Sequence, residues 1–261
     1  MTKPERPTVR VFVEEDLTEG QALVLAEGPS HYLRNVMRKT EGTVIGLFNG
    51  RSAEFAATLV KVGKKGVHVE LGPVIVPFEV QPALTLMFSP IKRNPMEMLI
   101  AKATELGVTR FQPLIMEHTQ SERMKADRLR TIAIEAAEQC ERLTVPTFAE
   151  PQPLRDAVAQ FQGSIGAAFE TSDFAPVQDV FARVDRLEGL MVGPEGGFSA
   201  AEIDWLRQQP DVLGLGLGPR ILKAETAGMA LVAIYQALKG DWGKRPDFRG
   251  PEQPKGSRGF A

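Results

Sequence analysis

Buried strand-like runs alternate with amphipathic helical stretches from Leu84 to Leu238, and this alternation most constrains the fold. Runs such as LTLMFS, SIGAAFE and LEGLMVG are short and apolar, whereas MEMLIAKATELG, SAAEIDWLRQQ and KAETAGMALVAIYQAL have helical spacing. Such alternation is typical of a mostly parallel sheet covered by helices. Ligands of parallel sheets bind in the loops that follow the carboxyl ends of strands. The sequence therefore predicts an α/β domain over residues 84–240, with its site in those loops.

The first 75 residues have a different pattern, because they consist of short β-branched runs bounded by Gly, Pro or Asn. Asn49-Gly50 separates two of these runs and is a strong hairpin signal. One helix, SHYLRNVMR, interrupts the strands, with Ser30 as its candidate N-cap. We therefore predict a small β-barrel over residues 1–75, followed by a proline-containing linker over residues 76–83.

Composition excludes several classes of protein. The chain has 261 residues, 3 His and 1 Cys, so neither a disulfide nor a zinc site is expected. Cys140 falls on an apolar helical stripe and is expected in the core. No run reaches the roughly 18 apolar residues of a membrane span, and the N-terminus lacks the apolar core of a secretory signal. We expect a cytoplasmic protein with no metal and no membrane partner, and a disordered tail over residues 241–261.

Two glycine-rich loops follow predicted strands in the second half of the chain. The first, Gly193–Gly197, precedes a helix whose start is defined by Ser199 and Glu202 in a capping box. An ordinary tight turn explains this loop as well as a ligand site does. The second loop lies in LGLGLGPRILKAETA, where three glycines alternate with leucines.

The second loop does not match the common phosphate-binding loops. A dinucleotide fingerprint requires G-x-G-x-x-G and an acid about 20 residues further on, and a P-loop requires Gly-Lys-Ser/Thr. Here Pro219 follows G-x-G-x-G, and no second βαβ unit remains in the chain. A backbone-lined site for a flat, uncharged group such as adenine remains. A Cβ atom at Gly216 or Gly218 is expected to fill that site.

VGPEGGFSAAEI and LGPRILKAETA closely resemble motifs of the RsmE family of ribosomal RNA uridine N3-methyltransferases, in the SPOUT (trefoil-knotted) superfamily. HYLRNVMRKTEG and LFNG are similar to its PUA-like RNA-binding barrel. MEMLIAKATELGV, FQPLIMEHTQSER and AAEQCERLTVP are similar to its catalytic domain, so the resemblance covers about residues 8–240. It implies a knotted domain that binds S-adenosylmethionine, a homodimer with the active site near the interface, and a uridine target in 16S rRNA of the 30S subunit.

The predicted cofactor site consists of residues from the two glycine loops and their flanks. These residues are Phe169, Gly193, Pro194, Glu195, Gly196, Gly197, Leu215, Gly216, Leu217, Gly218, Ile221, Leu222, Glu225, Thr226 and Ala227.

Methyl transfer to uridine N3 requires the methyl group, the sulfur and N3 in line, so positioning supplies much of the rate. N3 also carries a proton. Either a base removes it, or cations stabilise the negative charge that spreads onto the flanking carbonyl oxygens. The candidate cations are Arg142, in the EQCER motif, and Arg220, and the candidate base is Glu138.

Structural roles compete with these assignments. Glu138 and Arg142 are spaced i, i+4 and would form a helix-surface ion pair, and Arg220 would pair with Glu225. Many relatives carry an arginine where this chain has His118. A lone loop histidine is more often structural than a general base.

Many relatives also carry an arginine where this chain has Lys223, so a bidentate contact is not expected there.

Basic residues of the N-terminal part are candidates for RNA contact, with a solvated charged face as the alternative. The predicted RNA-binding residues are Arg34, Arg38, Lys39, Lys61, Lys64, Lys65 and, further along the chain, Arg123. Two other functions stay open beside the methyltransferase. One is a non-catalytic RNA-binding protein of ribosome assembly, and the other is a nucleotide-binding enzyme of Rossmann type.

Overall fold

The computed structural model describes residues 7–120, 124–170 and 173–244 of the chain. Its N-terminal part is a sheet of five strands, β1 (Arg10–Phe12), β2 (Ala22–Val24), β3 (Val44–Phe48), β4 (Glu54–Gly63) and β5 (Gly66–Val76). Their order in the sheet is β1-β3-β4-β5-β2. β1 and β3 are parallel, and the other pairs are antiparallel. The sheet encloses its own apolar core, and the loop at Asn49-Gly50 joins β3 to β4 as predicted.

The helix of this part begins and ends earlier than predicted. Helix α1 covers Glu27–His31 and continues as a π-helical turn over Tyr32–Val36. Ser30 is not the N-cap but lies buried within α1. Its hydroxyl donates to the Leu25 carbonyl (2.8 Å) and accepts from the Val67 amide (3.1 Å). The serine therefore ties the helix to the sheet, a contact between distant segments that the local pattern does not reveal.

The second part of the chain is a parallel sheet covered by helices, as predicted. Its strands are β6 (Thr85–Phe88), β7 (Arg110–Ile115), β8 (Thr147–Phe148), β9 (Gln152–Pro153), β10 (Ile165–Phe169), β11 (Gly189–Val192) and β12 (Val212–Gly216). Their order in the sheet is β12-β10-β11-β6-β7-β8, with β9 paired to β7. The helices are α2 (Arg93–Glu105), α3 (Ala126–Gln139), α4 (Leu154–Gln160), α5 (Val177–Phe181), α6 (Ala200–Leu206) and α7 (Ala224–Leu238).

The central strands β6, β10 and β11 are buried along their whole length because helices cover both faces of the sheet. Successive side chains enter opposite cores, as the period of two requires. Leu86 and Phe88 pack in one core with residues of α2, α3 and α7, whereas Met87 packs in the other with residues of α4 and α6. The first strand of this sheet, β6, lies between β7 and β11, which differs from the 3-2-1-4-5-6 order of dinucleotide-binding folds.

An arginine of the first sheet joins the two parts of the chain. Arg10 of β1 is buried and pairs with Glu54 of β4, with 3.0 Å between Nε and Oε1. Its Nη1 donates to the Ala137 carbonyl (2.9 Å) and its Nη2 donates to the Arg142 carbonyl (3.1 Å). The last carbonyls of a helix lack partners within the helix, and a cation near them is favourable. Arg10 thus caps the C-terminus of α3 and fixes the first sheet against it.

Arg142 repeats this arrangement one helix away. Its buried guanidinium donates from Nη1 to the carbonyls of Thr104 (2.6 Å) and Val108 (2.9 Å), where α2 ends. Its Nη2 donates to Oε1 of Gln81 (2.8 Å). Burial lowers the pKa of Arg142 to about 10. These contacts hold the amino ends of β6 and β7 together.

Glu138 and Cys140 also differ from expectation. Oε1 of Glu138 accepts from the Phe12 amide (2.8 Å), so the predicted i, i+4 ion pair with Arg142 is not formed. Burial raises the pKa of Glu138. Cys140 is exposed, because α3 ends at Gln139 and the next turn leaves the core.

Among the described residues, no helix is both long and apolar enough to span a membrane. In the same residues, no group of three or more His, Cys, Asp or Glu is arranged to hold a metal ion. The predicted disorder of the tail concerns mainly residues 245–261, which lie outside the described residues.

We expect Arg10→Ala to lower the free energy of unfolding by about 3–5 kcal/mol, because it leaves the Glu54 carboxylate buried without its partner. The matched control is Arg51→Ala, which removes an exposed pair with Asp16 and is expected to cost less than about 1 kcal/mol. Urea denaturation measures both. Equal stability of Arg10→Ala and wild type would contradict the proposed role of this arginine.

Glu138→Gln is expected to make the protein more stable at neutral pH. The amide oxygen still accepts from Phe12, and the buried charge is gone. A carboxyl whose folded pKa is raised costs stability as pH rises from its ordinary pKa of 4.5 through the folded value. The gain should therefore grow with pH over that window and then stay constant.

Urea denaturation between about pH 4 and 8 tests this expectation. Glu138→Ala is the comparison, since it leaves the Phe12 amide unpaired and is expected to cost about 1–3 kcal/mol. A Gln variant that loses as much stability as the Ala variant would show that the charge itself is favourable.

Candidate active site

A cleft opens at the carboxyl edge of the parallel sheet, where the neighbouring strands β12, β10 and β11 end. It encloses about 760 Å³ of space, including its open mouth. Its walls come from the ends of these strands, the loops that follow them and the helices α6 and α7. The lining residues are Ala168, Phe169, Glu170, Val192, Gly193, Pro194, Gly196, Gly197, Phe198, Ile203, Leu217, Gly218, Arg220, Leu222, Ala224 and Ala227.

The first glycine loop is held firmly at both ends. The capping box is present as predicted, because the Ser199 hydroxyl accepts from the Glu202 amide and the Glu202 carboxylate accepts from the Ser199 amide. Gly197 has φ +70°, a conformation that favours glycine. A Cβ atom at Gly193 would lie 3.0 Å from the ring of Phe198, so the loop backbone packs directly on that aromatic side chain.

The second loop leaves β12 and forms the opposite wall. Gly218 has φ +98°, and a Cβ atom there would meet no other atom within 4 Å. At Gly216, by contrast, a Cβ atom would lie 3.4 Å from the Phe174 carbonyl oxygen. Gly216 is not part of the cleft wall, so the expectation that its Cβ would fill the site is wrong.

Most of the predicted cofactor residues are brought together in the cleft walls. These are Phe169, Gly193, Pro194, Gly196, Gly197, Leu217, Gly218, Leu222 and Ala227. Those that do not line the cleft are Glu195, Leu215, Gly216, Ile221, Glu225 and Thr226.

Three of these departures have a clear structural reason. Glu195 is turned toward the segment after β6, where Oε1 accepts from the Lys92 amide (3.3 Å). Leu215 is fully buried in the core, and Ile221 is 84% exposed. The directions of these side chains depend on the alternation along the strand and on the shape of the turn, which the sequence motif of the loop does not indicate.

Several lining residues were not predicted, and Glu170 is the most informative. It is the first residue after β10, so its signal was an acid directly behind a buried strand. Glu170 and Arg220 are the two charged side chains among the lining residues. Among the described residues, Glu170 and Arg220 do not form an ion pair with each other. Arg220 also does not pair with Glu225, which was the structural alternative to its catalytic role. The cleft therefore offers one carboxylate and one guanidinium to a ligand.

The catalytic candidates are not all in this cleft. Arg220 lines it, whereas Arg142 lies at the amino end of the sheet and Glu138 lies at the junction with the first sheet. Within the chain, Arg142 and Glu138 therefore satisfy structural contacts rather than face the cleft. A helical motif indicates that two residues share a face, but it does not indicate which edge of the sheet that face meets. Lys223 is the exposed N-cap of α7.

The loop after β7 approaches the cleft from the side. Nδ1 of His118 lies 3.1 Å from the carbonyl oxygens of both Gly196 and Gly197. The Thr119 hydroxyl accepts from the Met116 amide and lies 2.8 Å from the Ser89 hydroxyl. The loops that follow β6, β7, β10, β11 and β12 of the parallel sheet thus meet at the carboxyl edge of that sheet.

Only some of the predicted RNA-contact residues lie close together. Nη1 of Arg34 donates to the Gly63 carbonyl (2.7 Å) at the turn between β4 and β5, where Lys64 and Lys65 are exposed. Arg38 is not on a helix with Arg34, since it has φ +50° beyond the π-helical turn.

Two further basic residues of this part, Lys39 and Lys61, are half-buried and exposed, respectively. Arg123 lies outside the described residues.

Comparisons with known proteins agree with this architecture. A family model described as an RNA methyltransferase domain matches residues 79–236, and one described as an RNA methyltransferase PUA domain matches residues 30–72. The ribosomal RNA small subunit methyltransferase E of Rickettsia conorii is 30% identical, over 88% of this chain and 95% of the relative.

Two solved structures are similar over nearly their whole length. A Legionella pneumophila protein in complex with S-adenosylmethionine is 30% identical, with a TM-score of 0.82, over 90% of this chain and 99% of that one. The ribosomal RNA small subunit methyltransferase E of Neisseria gonorrhoeae, bound to S-adenosylmethionine, is 27% identical, with a TM-score of 0.80 and the same two shares. These matches exclude the Rossmann-type alternative, and the chain belongs to the ribosomal RNA small subunit methyltransferase E family of RNA methyltransferases.

Proposed function

We propose that this chain transfers the methyl group of S-adenosylmethionine to N3 of a uridine in 16S rRNA of the small ribosomal subunit. The cleft at the carboxyl edge of the sheet is the observation that carries this proposal, since it lies where ligands of parallel sheets bind. The relatives that are named for methylation of small-subunit rRNA supply the substrate class.

The chemistry of the cleft fits S-adenosylmethionine. Phe169, Leu217 and Leu222 give apolar surface for a flat ring, and the glycines, which have no side chain, allow a ligand to approach the backbone closely. The ligand carries positively charged groups, and the cleft offers the Glu170 carboxylate to them. The open space beside Gly218, where any other residue would project a side chain, fits this use.

When bound, the cofactor supplies a methyl group activated by a positively charged sulfur. The chain supplies position and charge. The two glycine loops hold the ligand between fixed walls, which raises the effective concentration of the reacting atoms. Arg220 stabilises the negative charge that develops on the carbonyl oxygens beside N3, because a guanidinium presents several donors in one plane. Arg142 and Glu138 hold the scaffold.

The first sheet binds the RNA in this proposal. The contact surface consists of Arg34, Arg38, Lys39, Lys61, Lys64 and Lys65, with Arg123 from the second half of the chain. Phosphate contacts of this kind weaken as salt increases. The proposal includes a homodimer with the active site near its interface, a C-terminal knot, and action in the cytoplasm, where ribosomal subunits are assembled. Its domains are residues 1–75 and 84–240, joined by a linker over residues 76–83.

Incubation with labelled cofactor and 30S subunits from cells that lack the endogenous enzyme tests the function. We expect one methyl group per subunit, and chromatography of the digested RNA should identify it as N3-methyluridine. Binding of the cofactor without transfer to RNA would instead support a non-catalytic protein of ribosome assembly.

Arg220→Ala is expected to lower kcat by on the order of 10²- to 10³-fold, because it removes the cation that stabilises the developing charge. Cofactor affinity by calorimetry should change much less. Arg183→Ala is the matched control, since Arg183 is exposed and lies outside the cleft walls. Wild-type turnover in Arg220→Ala would remove this residue from the mechanism.

Gly218→Val is expected to weaken cofactor binding by about tenfold or more. A β-branched residue at φ +98° is strained, so the loop must change shape and the wall moves. Gly216→Ala is the control, because its Cβ makes an ordinary contact outside the cleft and should leave the affinity unchanged. Calorimetry with S-adenosylmethionine compares them, and equal affinities would show that the Gly218 loop is only a turn.

A further inference from the structure

The geometry of His118 fixes the position of its proton. Nδ1 lies 3.1 Å from two carbonyl oxygens, those of Gly196 and Gly197. Carbonyl oxygens only accept hydrogen bonds, so Nδ1 must be the nitrogen that carries the proton. In the neutral ring Nε2 is then left with a free lone pair. The glycine loop thus selects one tautomer of this histidine.

The loop that carries His118 is held on two sides. The Glu117 amide donates to Oε1 of Glu202 on α6 (2.9 Å), and the Thr119 hydroxyl bonds to Ser89 behind β6 (2.8 Å). A Cβ atom at Gly196 would lie only 3.1 Å from Cβ of His118, so the two backbones are packed closely. An exposed imidazole on such a support has a defined orientation, as an acid–base group requires.

His118 borders open space beside the cofactor cleft. Residues 117–120 and Gly196 line a shallow second cleft of about 680 Å³, including its open mouth. Gly196 also lines the cofactor cleft, so the two spaces share one wall. A flat base in the second cleft would therefore lie beside both the imidazole and the shared wall of the cofactor cleft.

We propose that Nε2 of His118 is the general base that accepts the N3 proton of the target uridine. This inference rests on the proposed methyl transfer. As the N3–H bond breaks, its electron pair stays on N3 and its proton moves to Nε2. N3 forms its bond to the methyl carbon while the methyl–sulfur bond breaks and its electrons return to sulfur. The imidazolium then releases its proton to water.

The other candidates are less suited to this step. Arg220 cannot accept a proton, because a guanidinium remains charged, and Glu138 lies at the junction with the first sheet. Among the described residues, the charged groups on the elements around the imidazole include Glu117 on its own loop, Glu195 in the glycine loop, Glu202 and Asp204 on α6, Glu170 after β10 and Lys92 after β6. Glu195 and Glu202 accept backbone amides, from Lys92 and Glu117, respectively.

Nuclear magnetic resonance tests the tautomer without any reaction. The chain has 3 His, so ¹⁵N-histidine labelling gives few signals, and the spectrum of His118→Asn identifies those of His118. We expect the neutral ring to carry its proton on Nδ1. A neutral ring with its proton on Nε2 would overturn the proposal.

Kinetics test the proton transfer. The wild-type kcat should increase with pH in proportion to the fraction of neutral His118 ring that the same resonance spectra measure. His118→Asn retains a donor for the two glycine carbonyls but has no Nε2. It should lower kcat by on the order of 100-fold, remove the pH dependence and keep the cofactor affinity of the wild type.

The controls separate this proposal from its alternatives. If the ring only supports the glycine loop, His118→Asn will turn over like the wild type and His118→Ala will bind cofactor less tightly, which would overturn the proposal. Wild-type protein that binds no S-adenosylmethionine in calorimetry would overturn the proposed function itself. Wild-type binding and transfer with an unaffected Asn variant would overturn the role of His118 alone.

Discussion

The order of three parallel strands is the constraint on which the site depends. β10 lies between β11 and β12, and the three strands are parallel. Their carboxyl ends therefore meet at one edge of the sheet, although other elements separate the strands in sequence. Both faces of this part of the sheet are buried, because every side chain of β10 and β11 is in one of two cores. The loops that follow these strands therefore lie side by side at this edge, and the cleft is the space between them.

Two buried arginines hold the scaffold around this sheet. Arg10 caps the C-terminus of α3, and Arg142 caps that of α2, each by donating to carbonyls that the helix cannot satisfy. A guanidinium suits this task because it reaches several acceptors at once. The first sheet is thereby fixed to the helix layer, so a surface proposed for RNA keeps a defined position relative to the cleft.

Local signals in the sequence were sufficient for much of the architecture. The capping box at Ser199 and the hairpin at Asn49-Gly50 depend on a few adjacent residues, and both are present. Ser30 is not the N-cap that its local sequence predicts, because its hydroxyl accepts a hydrogen bond from the distant Val67 amide instead. Glu170 was overlooked because a single acid behind a strand has no pattern, and it becomes notable only once the neighbouring strands are known.

The sequence by itself determined most of the elements, the two glycine loops and the family, since these depend on short-range spacing and on ordered motifs. Only the tertiary structure decided which side chains share a cleft. It brought Arg220, Glu170 and His118 to one edge of the sheet and put Arg142 and Glu138 elsewhere. The physical reason is that strand order and the alternation of side chains set these neighbours, and both are fixed by long-range packing rather than by spacing along the chain.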